Sequence, residues 1–467
     1  MTQVKNFITI LFIAILVAFA FQGKRGLYSP DEGRYTECAR EMNITHNYLL
    51  PELNNQLHIS KPPITYWFLA ISLKLFGHNE FAARFPNSLF FVLTVLLIFF
   101  IGKNIWNEDI ATLSAVIYST SIFPFIGLNF ITTDTILTFF IWLYIFFFIK
   151  ENYFLMWLAM GFAFLTKGPP SLLPFLAILL FLLLKNKEKI KNILNFKNLF
   201  IFLVVGLSWY IIVILKYPAA FDYFIKNELI GRVLGHHHRN SGLFDWIIYI
   251  PVLLFGLLPW SFYWYKINFK NLKLDNYAIL LLYIIFIPFI IFCIVRSRLP
   301  LYILPLFPAI SLLSAYLFQQ INLKFSKKFL ILSLVFLICL RIIFCYIPVS
   351  KNEKLIYKEI KPFIHGNNYK LNLVASRNHF GLNFYFNTII EHLNLNNKSK
   401  LNEYAKNSIT DKLKKLQLTN YFIIFDNFKL NYFLKLLKEK YNYSFKVFHP
   451  DNIYIVRVTP VAANQKK

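Results

Sequence analysis

Three stretches of this 467-residue sequence carry residue types that could do chemistry. The first is Tyr28-Ser-Pro-Asp-Glu-Gly-Arg-Tyr35, in which Asp31, Glu32, Arg34 and Tyr35 fall within about one helical turn. Adjacent acids on a helix point roughly a third of a turn apart, so only one of Asp31 and Glu32 can face a given ligand. Ser29-Pro30 reads as a helix start, with Ser as cap and Pro at the first position. Acids at the positive end of a helix are stabilised whether or not they do chemistry. Catalysis and capping therefore explain Asp31 equally well at this point.

The second stretch is Ser60-Lys61-Pro62-Pro63, followed by Tyr66-Trp67. Two prolines stiffen the backbone after the lysine, and the amphipathic rings suit the membrane-water boundary. The ammonium would then sit at headgroup depth, placed to neutralise a lipid phosphate; the plainer reading is an interfacial anchor that snorkels. The third is Asp134 in Phe130-Ile-Thr-Thr-Asp-Thr-Ile-Leu, at the end of an apolar run with no counter-charge nearby in sequence. Such an acid is costly unless it is paired or faces a watery cavity, which points to function. Capping by Thr132 or by Asp134 itself is the competing explanation.

Later in the chain come Glu228, Arg232 and the run His236-His237-His238-Arg239, then Arg298-Leu-Pro-Leu-Tyr302-Ile-Leu-Pro305, with an Arg and a Tyr about one turn apart. Adjacent histidines cannot all face one ion and the usual ligand spacings are missing, so the His cluster is a weak metal candidate. Lys167, Arg84 and Arg341 stand at the ends of apolar runs and are expected to snorkel. The sequence has no P-loop, dinucleotide fingerprint or HExxH, which leaves nucleotide-driven transport and zincin chemistry without support.

The scaffold holding these groups is a polytopic membrane protein. Hydrophobic residues make up 57% and charged residues only 15%, against about a quarter charged in soluble domains. A formal charge of +26 in such a chain marks cytoplasmic loops and anionic headgroups rather than nucleic acid. The four cysteines read as small buried hydrophobes with no redox role. Lys5 ahead of the run Phe7 to Phe21 lacks a small-residue cleavage site, so an uncleaved first span is expected.

Apolar runs of about 15 to 20 residues lie near 7–22, 84–102, 110–127, 131–149, 153–167, 170–184, 198–216, 246–265, 277–295, 300–318 and 328–348. They predict about eleven spans, and up to 13, since short spans and re-entrant segments look alike. With the N-terminus in the cytoplasm, Lys103, Lys150, the run Lys185 to Lys197, Lys266 to Lys273 and Lys324 to Lys328 all fall inside, as the positive-inside rule requires. Asp31, Glu32, Lys61, Asp134, the stretch Glu228 to Arg239, and Arg296 to Arg298 then share the outer face. From about residue 350 the pattern changes. Leu371 to Ser376, Tyr421 to Phe425 and Ile453 to Val458 read as strands and Leu430 to Tyr441 as an amphipathic helix. The predicted division is a membrane domain over 1–349, with a first outer loop at 23–83, and a small soluble α/β domain over 350–467 on the outer face.

In their order and shared sidedness these residues resemble the lipid-dependent glycosyltransferases with a multi-span GT-C fold. Within them the resemblance is to the aminoarabinose transferases that modify lipid A, relatives of protein O-mannosyltransferases. It covers residues 1 to about 320 and rests on Asp31-Glu32 with Arg34-Tyr35, Lys61-Pro62-Pro63 with Tyr66-Trp67, Phe76-Gly77 with Arg84, and Thr133-Asp134. Glu228, Arg232, the His cluster, Pro259-Trp260, and Arg298-Leu-Pro with Tyr302 and Pro305 complete it.

By this resemblance Asp31 is the principal catalytic acid of the first loop, with Glu32 beside it and Asp134 a second acid. Lys61 holds the phosphate of the polyprenyl carrier, and Arg34, Tyr35, Arg232, Arg298 and Tyr302 are phosphate or sugar contacts. Some relatives carry Glu immediately before the Lys-Pro pair, where it helps to bind a metal; here that residue is Ser60, with His58 two places earlier. No cofactor is required on this reading. A divalent ion such as zinc would have only His58, His236 and His238 as weak candidate ligands.

The implied function is transfer of a sugar, an amino sugar by preference, from an undecaprenyl phosphate donor to lipid A, at the periplasmic face of a bacterial inner membrane. The alternatives are a protein O-glycosyltransferase using the same class of donor and, from another class, a lipid or ion transporter. A transporter should spread its charges along a transmembrane path, whereas here they crowd one face.

Overall fold

The computed structural model describes residues 2–234, 244–268, 272–366, 368–376, 379–395, 407–441 and 443–460. The chain forms two compact units. One comprises Met1–Lys24, Tyr48–Leu50 and Ile59–Cys345; the other comprises Arg25–Asn47, Pro51–His58 and Tyr346–Lys467.

The first unit is helical. Among the described residues, Glu80–Ile105, Asn276–Ile294, Pro300–Gln320 and Lys327–Tyr346 are long and apolar enough to cross a membrane. Three helix pairs add to these when each pair is taken as one bent span: Glu108–Ser119 with Ile122–Asn129 (54°), Phe196–Gly206 with Ser208–Lys216 (48°), and Asp245–Phe255 with Trp260–Lys266 (83°). The chain is thus a multi-pass membrane protein with four to seven such spans by length and composition. Shorter apolar helices of 10–17 residues include Asp134–Ile149, Tyr153–Lys167 and Ile64–Phe76, and the last of these lies within the stretch read as a loop.

Local chemistry fixes the helix starts. Asn79, Asn107, Asn152 and Asp275 each accept a backbone N–H three residues on, at Ala82, Ile110, Leu155 and Ala278, satisfying a donor the helix leaves orphaned. Buried indoles find partners across the unit, as aromatic N–H groups must. Trp142 donates to Pro305 O (2.9 Å), Trp209 to Leu49 O (2.8 Å) and Trp260 to Thr120 Oγ1 (2.8 Å), the last at the break of a bent pair.

Arg84 and Arg341 do not snorkel. Both are buried and turn onto the carbonyl end of the first helix, Thr2–Phe19. Arg341 Nη1 donates to Ala18 O (3.1 Å) and Ala20 O (2.8 Å), and Arg84 Nη1 to Gln22 O (3.4 Å). The last carbonyls of a helix have no intrahelical donor and sit at its negative pole, which makes an arginine a better partner there than headgroup water.

The second unit is built on a six-stranded sheet: β1 Tyr369–Val374, β2 Glu391–Asn394, β3 Asn407–Ser408, β4 Thr419–Ile424, β5 Ser444–Phe448 and β6 Tyr454–Thr459, in the order β3-β2-β1-β4-β6-β5. β3, β2, β1 and β4 run parallel, and β6 and β5 continue the sheet antiparallel. Alternation along β4 feeds two cores: Phe422 and Ile424 pack with Phe433 and Leu437 of the helix Asn427–Lys440, while Tyr421 and Ile423 pack with Ile356, Ile360 and Leu382. A central strand covered on both faces reads as the unbroken apolar run seen in the sequence.

The helix Asp31–Thr45 also belongs to this unit. Its cap position is Pro30, with no side-chain cap, so Ser29 is not the predicted cap. The reason lies in the backbone: Ser29 N–H donates to Lys351 O (2.9 Å) beside an antiparallel bridge between Tyr28 and Asn352. That pairing holds Ser29 before the helix begins.

Candidate functional site

The helical unit contains a cavity of about 390 Å³ whose wall is apolar except at one end. Phe164, Leu173, Leu207, Ile214 and Phe224 are among its apolar residues, and Ser60, Lys61, Lys167, Glu228, Arg232 and Tyr302 supply the polar end. Lys61 is brought there by Pro62, also in the wall, and by Pro63, which caps the helix Ile64–Phe76. Its Nζ donates to Ser60 O (3.0 Å) and to Glu228 Oε2 (3.4 Å). Glu228 lies on a widened π-type turn, Tyr223–Ile230. It accepts from Arg232 Nε on Oε2 (2.8 Å), and from Arg232 Nη2 (3.1 Å) and Tyr223 Oη (3.3 Å) on Oε1. Arg232 Nη1 reaches Tyr302 Oη (3.1 Å), and its carbonyl accepts Ser297 N–H (3.0 Å). The guanidinium is therefore held from both sides.

Burial alone would raise the Glu228 carboxyl, but the positive charges of Lys61 and Arg232 outweigh it and hold the group below its ordinary value. Lys167 is 8% exposed, pairs with Asp134 and lies 4.2 Å from the centre of the Tyr302 ring. The expectation that Lys167 snorkels is not met. Its counter-charge is an acid 33 positions earlier, and the pair shields both ions from the apolar wall. Three cations and one acid line the cavity, with Asp134 behind Lys167, so the polar end has capacity for an anion. Arg298 is buried and donates from Nη2 to Cys293 O (2.8 Å), at the carbonyl end of the helix Asn276–Ile294.

In the second unit the adjacent acids part company. Glu32 is buried and accepts both arms of Arg25 (2.9 and 3.0 Å) and the Tyr28 N–H (2.8 Å). Asp31 is half exposed and pairs with Arg34 across one turn. Tyr35 is buried, with the Arg34 guanidinium 5.8 Å from its ring centre. On the same helix Arg40 forks onto Glu37 (2.7 and 2.8 Å), and Glu41 accepts the backbone N–H groups of Asn54 (2.7 Å) and Asn55 (3.0 Å). Burial, reinforced by the nearby Glu37 charge, pushes the Glu41 carboxyl up to about 7. Gly33 lets this helix touch the helix Gly381–Phe386: a Cβ at Gly33 would lie 2.4 Å from Gly381 N and 2.9 Å from its Cα.

Residues 60–212 match the family profile of the dolichyl-phosphate-mannose-protein mannosyltransferases. An undecaprenyl phosphate-alpha-4-amino-4-deoxy-L-arabinose arabinosyl transferase of Wigglesworthia glossinidia brevipalpis is 34% identical over 349 residues, which is 70% of this chain and 61% of that protein. A protein of Aquifex aeolicus is 30% identical over 348 residues, covering 72% of this chain and 68% of its own length. In sequence the chain is similar to the aminoarabinose transferases. It spans 61% of the length of the first arabinosyl transferase it matches. The crystal structure of ArnT from Cupriavidus metallidurans bound to undecaprenyl phosphate shares the fold, with a TM-score of 0.79, 18% identity, and coverage of 97% of this chain and 98% of that one.

His58 is buried, and among the described residues no group of three His, Cys, Asp or Glu side chains could hold an ion; His236 and His238 lie outside those residues. None of the four cysteines forms a disulfide, with Cys38 buried and Cys339 exposed on an apolar helix. Two cavity residues escaped selection as site residues. Lys167-Gly-Pro-Pro echoes Lys61-Pro-Pro, a lysine ahead of rigid backbone, and Glu228 stands one turn before Arg232. Both signals were in the sequence, but each is also what an anchor or a surface ion pair looks like.

Proposed function

We propose that this protein is a glycosyltransferase that moves an amino sugar from undecaprenyl phosphate to lipid A. The observation that carries the reading is the cavity: a largely apolar wall of the kind a prenyl chain packs against, joined by Lys61, Arg232, Lys167 and Tyr302. An amphiphile with a single anionic group between lipid and sugar fits such a lining. Sequence similarity to the arabinosyl transferases supports it.

Chemically, the C1–O bond between sugar and carrier phosphate breaks while an acceptor oxygen bonds to C1, and the electron pair leaves on the carrier phosphate. That phosphate is already a good leaving group, so catalysis reduces to positioning and to stabilising charge on the departing oxygens. Lys61 and Arg232 do this. A lipid A phosphate is anionic and needs little base help. Asp31 then orients the reactants or binds the sugar's ammonium, with Asp134 holding Lys167 in place. A Ser or Thr acceptor would instead require Asp31 as general base. In this reading the chain crosses the membrane about eleven times, with the lysine-rich loops cytoplasmic and both the chemistry and residues 350–467 on the periplasmic side.

Purified protein given aminoarabinosyl undecaprenyl phosphate and lipid A should yield lipid A heavier by one amino sugar, read by mass spectrometry. Sugar appearing on peptides while lipid A stays unmodified would replace the acceptor. No transfer to either would remove the enzyme reading.

A further inference from the structure

An acid has no part in holding an anionic donor, yet Glu228 sits at the centre of the donors that would hold one. Its two oxygens take Lys61 Nζ (3.4 Å), two arms of Arg232 (2.8 and 3.1 Å) and Tyr223 Oη (3.3 Å). These are the contacts two phosphate oxygens would make, since carboxylate and phosphate present the same forked acceptor to a guanidinium. We propose that Glu228 is a resident stand-in for the carrier phosphate: it fills the seat between Lys61 and Arg232 between turnovers, yields to the incoming donor, and returns to displace the product. The inference rests on reading the cavity as the donor's seat.

Two physical reasons favour such a device. Lys61 and Arg232 are partly buried beside an apolar wall, and two like charges there repel and lose order unless an anion lies between them. The second reason is a charge imbalance. The donor's phosphodiester carries one negative charge, whereas the released phosphate monoester approaches two at neutral pH. The cations therefore hold product harder than substrate, and turnover needs a competitor. A carboxylate tethered one turn from Arg232 competes at an effective concentration that free anions do not reach. Arg232 itself stays anchored through its carbonyl to Ser297 N–H, so the movement belongs to the Glu228 side chain.

The test is the affinity of the full-length protein for undecaprenyl phosphate. Glu228→Gln keeps length and hydrogen-bonding reach but removes the charge. It should bind undecaprenyl phosphate about tenfold more tightly or better, lower kcat, and be inhibited by added undecaprenyl phosphate at correspondingly lower concentration. Glu228→Ala should change affinity with the same sign. Tyr223→Phe leaves the acid but removes one hydrogen bond that seats it, and should tighten binding by a smaller factor. Unchanged or weaker binding in the variants, with wild type binding normally, overturns the stand-in. Failure of the wild type to bind the lipid overturns the cavity reading instead.

Discussion

Lys61 and Asp31 carry the same kind of signal in the sequence, a charge beside proline, and the structure gives them different surroundings. Lys61 is set against Glu228 in a largely apolar cavity. A compact ammonium placed at one point is not replaced by a planar fork. Lys61→Ala should lose most affinity for undecaprenyl phosphate, on the order of tenfold to a hundredfold, and Lys61→Arg should be clearly impaired although inserted normally. Affinity unchanged in Lys61→Ala would remove the residue from the site. Asp31 makes no cap bond and shares an exposed pair with Arg34, an interaction worth less than about 1 kcal/mol. Asp31→Asn should therefore leave thermal stability almost untouched while cutting transfer by about a hundredfold or more. Wild-type transfer by Asp31→Asn would leave the acid without a chemical role.

At the scale of elements, the helix Asp31–Thr45 is positioned by one close approach and one buried acid. A methyl group at Gly33 has nowhere to go, because the obstructing atoms are the backbone of Gly381 rather than a flexible side chain. Gly33→Ala should cost about 1–3 kcal/mol, seen as a lower unfolding temperature, and should reduce transfer by displacing Asp31. An unaltered melting curve would mean the helices separate freely. Glu41 pins the Asn54–Asn55 backbone to the same helix. Its folded value near 7 lies above the ordinary 4.5. The stabilisation from the protonated acid is thus complete below about pH 4.5 and is lost as pH rises through about 7, on the order of 3 kcal/mol across that window. Glu41→Gln does not titrate, so the stability advantage of wild type over this variant should shrink from pH 4.5 to pH 8. A difference independent of pH would show that Glu41 has an ordinary acidity.

For the whole molecule, orientation is the property with the widest consequences. In the proposed orientation the N-terminus is cytoplasmic, which puts the lysine-rich loops inside, as the positive-inside rule requires, and the chemistry-bearing residues outside. In a variant with its four native cysteines replaced, single cysteines at Asn47 and Lys358 should react with an impermeant thiol reagent added outside, and one at Asn192 should not. The reverse pattern would turn the protein over and place lipid A out of reach.

Composition and periodicity alone determined that this is a multi-pass membrane protein with a small α/β unit near its C-terminus, because lipid solvent and a two-sided sheet each impose a hydrophobic pattern on local sequence. The predicted strands and amphipathic helix fall within a few residues of β1, β4, β6 and Asn427–Lys440. The short strands β2, β3 and β5 were illegible, since four residues such as Glu391–Asn394 carry too few alternations to stand out. The sequence also marked Asp31, Lys61, Asp134, Arg232 and Tyr302 as worth attention. It could not distinguish Asp31 from Glu32, pair Asp134 with Lys167, set Glu228 between Lys61 and Arg232, or assign the first-loop helix to the unit containing the C-terminal sheet. Each of those depends on contacts between residues far apart in the chain. A buried charge is defined by its partner, and only the tertiary structure says which partner it has.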